Sequence, residues 1–134
     1  MRLDPAVRDD LFAHAREGDP EEVCGVLAGR RDPAGEDVVT ASRRVANVAD
    51  TPGTRYELDP AEQMVTMDEL EEAGDEVVGF YHSHPRGPAG PSATDARLAT
   101  WPDYLYCIVS LPDGSVGAWR WTGEAFERVP VSER

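Results

Sequence analysis

The chain is 134 residues long, with 40% hydrophobic and 29% charged residues, enough for one domain with an ordinary core and too apolar for wholesale disorder. Its 26 acidic residues outnumber 13 basic ones, a formal net charge of −13 that repels phosphate backbones and anionic lipid and argues against nucleic acid or membrane as partner. No apolar run approaches the ~18 residues of a membrane span, and the opening Met1-Arg2-Leu3-Asp4-Pro5 lacks a secretory core, so a soluble cytoplasmic protein is expected.

Asp4-Pro5 opens a helix, with Asp as N-cap and Pro at the first helical position. Val7, Leu11 and Ala15 follow at helical spacing until Gly18-Asp19-Pro20 stops the run. A strand is expected from Val23 to Gly29, a turn from Arg31 to Gly35, and a second strand from Asp37 to Val48. Tyr56 and Leu58 suggest a short strand. Asp59-Pro60 then caps a second helix reaching Ala73, with Met64, Met67 and Leu70 on one face. From Glu76 to Ser83 the pattern is too evenly apolar for an exposed face and suits a strand buried on both sides. The Gly/Pro-rich stretch Pro85 to Pro91 leads into a helix that starts at Ser92 and ends before Pro102. Strands near Tyr104–Leu111, Ser115–Trp121 and Ala125–Val131 close the chain through Pro112-Asp113-Gly114 and Thr122-Gly123 turns. Helices interleaved with strands predict a single α/β domain over residues 1–134, a mixed β-sheet packed by helices.

All 13 basic residues are Arg. GC-rich coding explains the absence of Lys, and so does a salty cytoplasm, where ion screening relieves the self-repulsion of an acidic surface. Two cysteines, Cys24 and Cys107, are too few for a disulfide framework and lie in apolar runs, as buried reduced residues do.

The chemistry concentrates in His82-Ser83-His84-Pro85, six residues, then Ser92-Ala93-Thr94-Asp95. Side chains two apart on a strand point the same way, so His82 and His84 project two imidazoles to one side. The Gly/Pro loop supplies the reversal that lets the next helix present Asp95 to the same point. Two imidazoles and one carboxylate suit zinc, and three protein ligands leave a position for water, as catalytic sites do. Each part alone reads as structure: a His-x-His pair is common on surface strands, and Ser-x-x-Asp is a helix-capping pattern. Together, on a strand–loop–helix frame, they carry more weight.

This pattern resembles the JAMM (MPN+) metallopeptidase motif in full. The family's upstream glutamate, a few residues before a Gly, is matched by Glu22 in Glu22-Val23-Cys24-Gly25. The order of elements agrees from about Leu3 to Val131. The resemblance implies the JAMM/MPN (cytidine deaminase-like) fold, with one zinc ion on His82, His84 and Asp95. It further implies Glu22 as general acid/base on the attacking water and Ser92 as donor to the oxyanion. The compact length is similar to that of the short prokaryotic members. The implied substrate is then an amide bond beside the Gly-Gly tail of a ubiquitin-like or sulfur-carrier protein. The family also includes metal-free scaffold members that mediate protein contacts and lack ligands; every ligand position is filled here. Among other candidates, His14 sits near a helix C-terminus, where the dipole suits it. Trp101, Trp119 and Trp121 read as packing, Arg86 as an exposed solubilising residue, and Asp68, Glu69, Glu71 and Glu72 as a wet helix face.

Overall fold

In the computed structural model, which describes residues 1–134, the chain opens with a two-residue strand, β1 (Arg2–Leu3). Helix α1 (Pro5–Gly18) follows, with the Asp4 carboxylate accepting from the Ala6 amide and Val7, Leu11, Phe12 and Ala15 buried. Two antiparallel strands come next, β2 (Cys24–Arg30) and β3 (Val38–Val45). Helix α2 (Pro60–Glu72) is capped by Asp59 through the Ala61 and Glu62 amides. Strand β4 (Glu76–His84) leads through the Gly/Pro loop to the short helix α3 (Ala93–Leu98). Strands β5 (Leu105–Ser110), β6 (Ser115–Trp121), β7 (Phe126–Val129) and β8 (Ser132–Glu133) complete the chain.

All eight strands join one mixed sheet in the order β7-β6-β5-β4-β2-β3-β1-β8. β4 pairs antiparallel with β2 and parallel with β5, so it is central and, beyond Glu76, buried throughout. One face of the sheet carries α1 on a cluster including Leu3, Leu11, Leu27, Val78 and Leu105. The other carries α2 and α3 on a cluster including Val26, Met67, Leu70, Phe80 and Tyr106. Each such side chain, fully buried, contributes about 1.5–3 kcal/mol. No helix is long and apolar enough to cross a membrane.

Several sequence expectations change at the edges. β3 stops at Val45, because residues from Asn47 onward turn away to bond the 55–57 segment; the expected Tyr56–Leu58 strand is one bridge, Asn47 to Leu58. On α2, Met67 and Leu70 are buried but Met64 remains 49% exposed, and Thr66 packs inward in its stead. α3 ends at Leu98, and the Thr100 and Trp101 amides donate to the Tyr106 hydroxyl. Trp119 and Trp121 are buried and Trp101 is half-buried, as packing residues are.

Candidate metal centre

The centre is built at the end of β4. His82 is paired with Cys24 on one side and Ile108 on the other, so its backbone is fixed by both neighbouring strands. His84 follows on the same face. Between them, the Ser83 hydroxyl accepts from the Val23 amide at 2.8 Å, and the Ser83 amide donates to the Val23 carbonyl at 3.0 Å. These bonds bring Glu22 to the strand end. Gly25 is required next to it, because any Cβ there would strike the Tyr81 ring and the Arg43 carbonyl.

The loop after β4 reverses with Gly87 at φ 79°, a conformation that favours glycine. Ser92 then caps α3: its hydroxyl oxygen accepts from the Asp95 amide at 3.0 Å, while Asp95 Oδ2 accepts from the Ser92 amide at 2.9 Å. This reciprocal box turns the Asp95 carboxylate back toward the histidines.

The structure brings Glu22, His82, His84 and Asp95 together, one candidate ligand atom from each lying within 4.8 Å of the others. All four are buried. Asp95 Oδ2 is 3.0 Å from His84 Nε2 and 3.3 Å from His82 Nε2, and the two imidazole nitrogens are 3.2 Å apart. Burial works against the Asp95 charge, but hydrogen bonds from both imidazoles and the Ser92 amide outweigh it and hold its carboxyl well below the usual range. Burial lowers His82; at His84 burial acts in the same direction, but Asp95 and the Pro88 carbonyl overcome it and raise the ring. Burial pushes the Glu22 carboxyl up to about 7.

Does this set fit a zinc ion? His84 Nδ1 lies 2.9 Å from the Pro88 carbonyl oxygen, which only accepts, so Nδ1 carries a proton. The hydrogen bond from Nε2 to Asp95 then belongs to the doubly protonated ring, and once that proton leaves, the Nε2 lone pair faces Asp95 and His82. Acceptors converging this closely need positive charge among them. A proton satisfies one pair, whereas a divalent cation satisfies all of them at once. Two imidazoles and a carboxylate are a donor set zinc accepts. Glu22 Oε1 and His82 Nδ1 are buried without hydrogen-bond partners, and an unpartnered carboxylate oxygen beside the cluster is suited to a water. The residues fit.

One cavity opens onto the cluster, and a second, lined by none of its four residues, lies against Tyr56. The first, of about 370 Å³, is lined by Glu22, His84 and Ser92 together with Gly53, Gly87 and Gly90. The other, of about 390 Å³, is lined by Tyr56, Phe80, Leu98, Trp101 and Tyr106. Tyr56 was not a site candidate from sequence, yet its ring stacks on His82 with centroids 4.0 Å apart and planes 16° from parallel. Nothing in the local pattern around Tyr56 signals a contact with a residue so far along the chain.

The other candidates lie elsewhere or act differently. His14 is not a charged group on the helix dipole: its Nδ1 is 2.7 Å from the Tyr81 hydroxyl, and burial, then the Arg44 charge, lower it to about 4. Arg86 is exposed on the rim of the smaller cavity. Cys24 and Cys107 are buried and unpaired, and burial pushes both thiols up to about 12. Asp68, Glu69, Glu71 and Glu72 are exposed on α2.

Comparison with known proteins identifies relatives of this chain. The family model for prokaryotic homologs of the JAB domain matches residues 4–122. The desampylase of Haloferax volcanii is 50% identical over 136 residues, covering 98% of this chain and 95% of that one. The CysO-cysteine peptidase of Mycobacterium tuberculosis is 43% identical over 103 residues, covering 77% of this chain and 68% of that one. A JAB1/MPN domain protein of Archaeoglobus fulgidus shares the fold, with a TM-score of 0.65 at 20% identity over 100% of this chain and 97% of that one.

Proposed function

The chain belongs to the family of prokaryotic homologs of the JAB domain, and on that premise we propose a zinc-dependent isopeptidase acting beside the Gly-Gly tail of a ubiquitin-like or sulfur-carrier protein. The observation that carries this reading is the buried Glu22, His82, His84, Asp95 cluster, with the His84 tautomer set by Pro88. The desampylase and CysO-cysteine peptidase relatives support the substrate class.

His82, His84 and Asp95 hold the zinc in this proposal, which supplies Lewis acidity to the scissile carbonyl and acidifies water. Glu22 takes a proton from the attacking water and passes it to the leaving amine. Burial raises the Glu22 carboxyl, the direction that lets a general base exchange protons near neutral pH, and the positive charge of a bound zinc would oppose it. Ser92 keeps its oxygen engaged with the Asp95 amide, and its hydroxyl hydrogen remains available to the developing oxyanion. Glycines on the wall of the smaller cavity expose backbone, and a Gly-Gly segment brings no Cβ to clash on close approach.

The test offers a ubiquitin-like carrier extended beyond its Gly-Gly and the same carrier with those glycines changed to leucine. Cleavage of the Gly-Gly form alone, abolished by chelation and restored by zinc, is the expected result. Equal cleavage of both forms, or of casein, contradicts the tail reading and describes a general protease.

A further inference from the structure

The two histidines of the centre are held in different ways. His84 is fixed by a hydrogen bond from Nδ1 to the Pro88 carbonyl. His82 Nδ1 is buried with no partner at all, although a ligating imidazole ordinarily donates its second N–H to a group that fixes its plane. What lies against the His82 ring is Tyr56, nearly parallel at 4.0 Å between centroids and only 7% exposed.

Tyr56 belongs to no helix or strand, so something else must place it. Its two neighbours are both held by Asn47, the single Asn of the chain. Asn47 Nδ2 donates to the Arg55 carbonyl at 3.1 Å, and Asn47 Oδ1 accepts from the Glu57 amide at 3.0 Å. The same amide group donates to the Glu22 carbonyl at 2.9 Å, and Oδ1 also accepts from the Ala49 amide at 3.1 Å. One side chain thus uses both its donors and both its lone pairs. It ties the segment bearing Tyr56 to the backbone of Glu22.

We propose that Tyr56 is a positioning residue for His82, substituting ring stacking for the missing hydrogen bond, and that Asn47 holds Tyr56 in place; this rests on the zinc reading above. The ring does the positioning, so Phe serves in place of Tyr. Asn47→Asp keeps the acceptor oxygens and removes both N–H donors, which frees the Arg55 carbonyl and the Glu22 carbonyl together.

The test measures zinc affinity by chelator competition and the visible spectrum of the cobalt-substituted protein, in the parent, Tyr56→Leu, Tyr56→Phe and Asn47→Asp. Tyr56→Leu lowers zinc affinity about 10–100-fold, the usual effect of removing a group that orients a ligand, and shifts the cobalt bands; Tyr56→Phe restores both. Asn47→Asp shifts affinity and spectrum in the same direction as Tyr56→Leu without touching the His82 ring. Circular dichroism confirms that each variant is folded, and if Tyr56→Leu fails to fold, Asn47→Asp decides. Parent affinity and parent spectrum in the folded variants overturn the positioning role and leave the zinc reading standing. A parent protein that binds no zinc overturns both.

Discussion

Replacing Ser92 separates the cap that its hydroxyl makes from the oxyanion contact proposed for it. Its oxygen accepts from the Asp95 amide at 3.0 Å and caps the six-residue helix that carries Asp95. Its hydrogen is free for an oxyanion. Ser92→Ala removes both, and loss of an N-cap costs about 1 kcal/mol. For 134 residues, an unfolding entropy of about 2.1 cal/mol/K per residue converts this to a fall in Tm of about 3–4 °C. Turnover falls about 10²–10³-fold, the usual cost of one oxyanion donor. Ser92→Asp tells the two apart, because aspartate caps as well as serine but, ionised, has no proton to give. Its Tm returns to the parent value while its turnover stays at or below that of Ser92→Ala. The assays are thermal unfolding by circular dichroism and cleavage of an extended Gly-Gly carrier. A folded Ser92→Ala or Ser92→Asp protein with parental turnover refutes the oxyanion role and leaves Ser92 a cap alone.

Glu22→Gln keeps the metal and loses about 10²–10⁴-fold in turnover, since the amide preserves size but accepts no proton; if Glu21→Gln is the inactive variant, the upstream glutamate has been misassigned. His14, lowered to about 4 by burial against Tyr81, makes stability depend on acid: the unfolded chain takes the proton first as pH falls below about 6.5. Its contribution is therefore complete above about 6.5 and declines down to about 4, and His14→Gln flattens the fall in urea midpoint over that window; an unchanged slope contradicts this. Stability also rises with salt, because a net charge of −13 repels itself and the Debye length shortens from ~10 Å at 0.1 M to ~3 Å at 1 M. A Tm that stays flat or falls across that range of KCl counts against it.

What was readable in the sequence followed from local rules. Alternation along a strand put His82 and His84 on one side and the Gly/Pro loop let Asp95 return to them, whereas Glu22 was legible only through the resemblance to the JAMM motif. The caps Asp4 and Asp59 located two helices to within a residue. What stayed hidden depends on contacts between distant segments. β1 and β8 are two residues each and carry no period, so only their pairing with one another and with β3 defines them. Met64 repeats with Met67 and Leu70 yet stays half exposed. Asn47 and Tyr56 lie in irregular chain, and their roles exist only once Glu22 and His82 are placed beside them.

The most direct test of the whole account is metal content. Purified protein should hold about one zinc per chain, falling heavily in His82→Ala and in Asp95→Ala. The His82→Ala, His84→Ala double variant, folded and treated identically, should hold almost none; full zinc occupancy in that double variant places the metal elsewhere and contradicts the assignment of the centre.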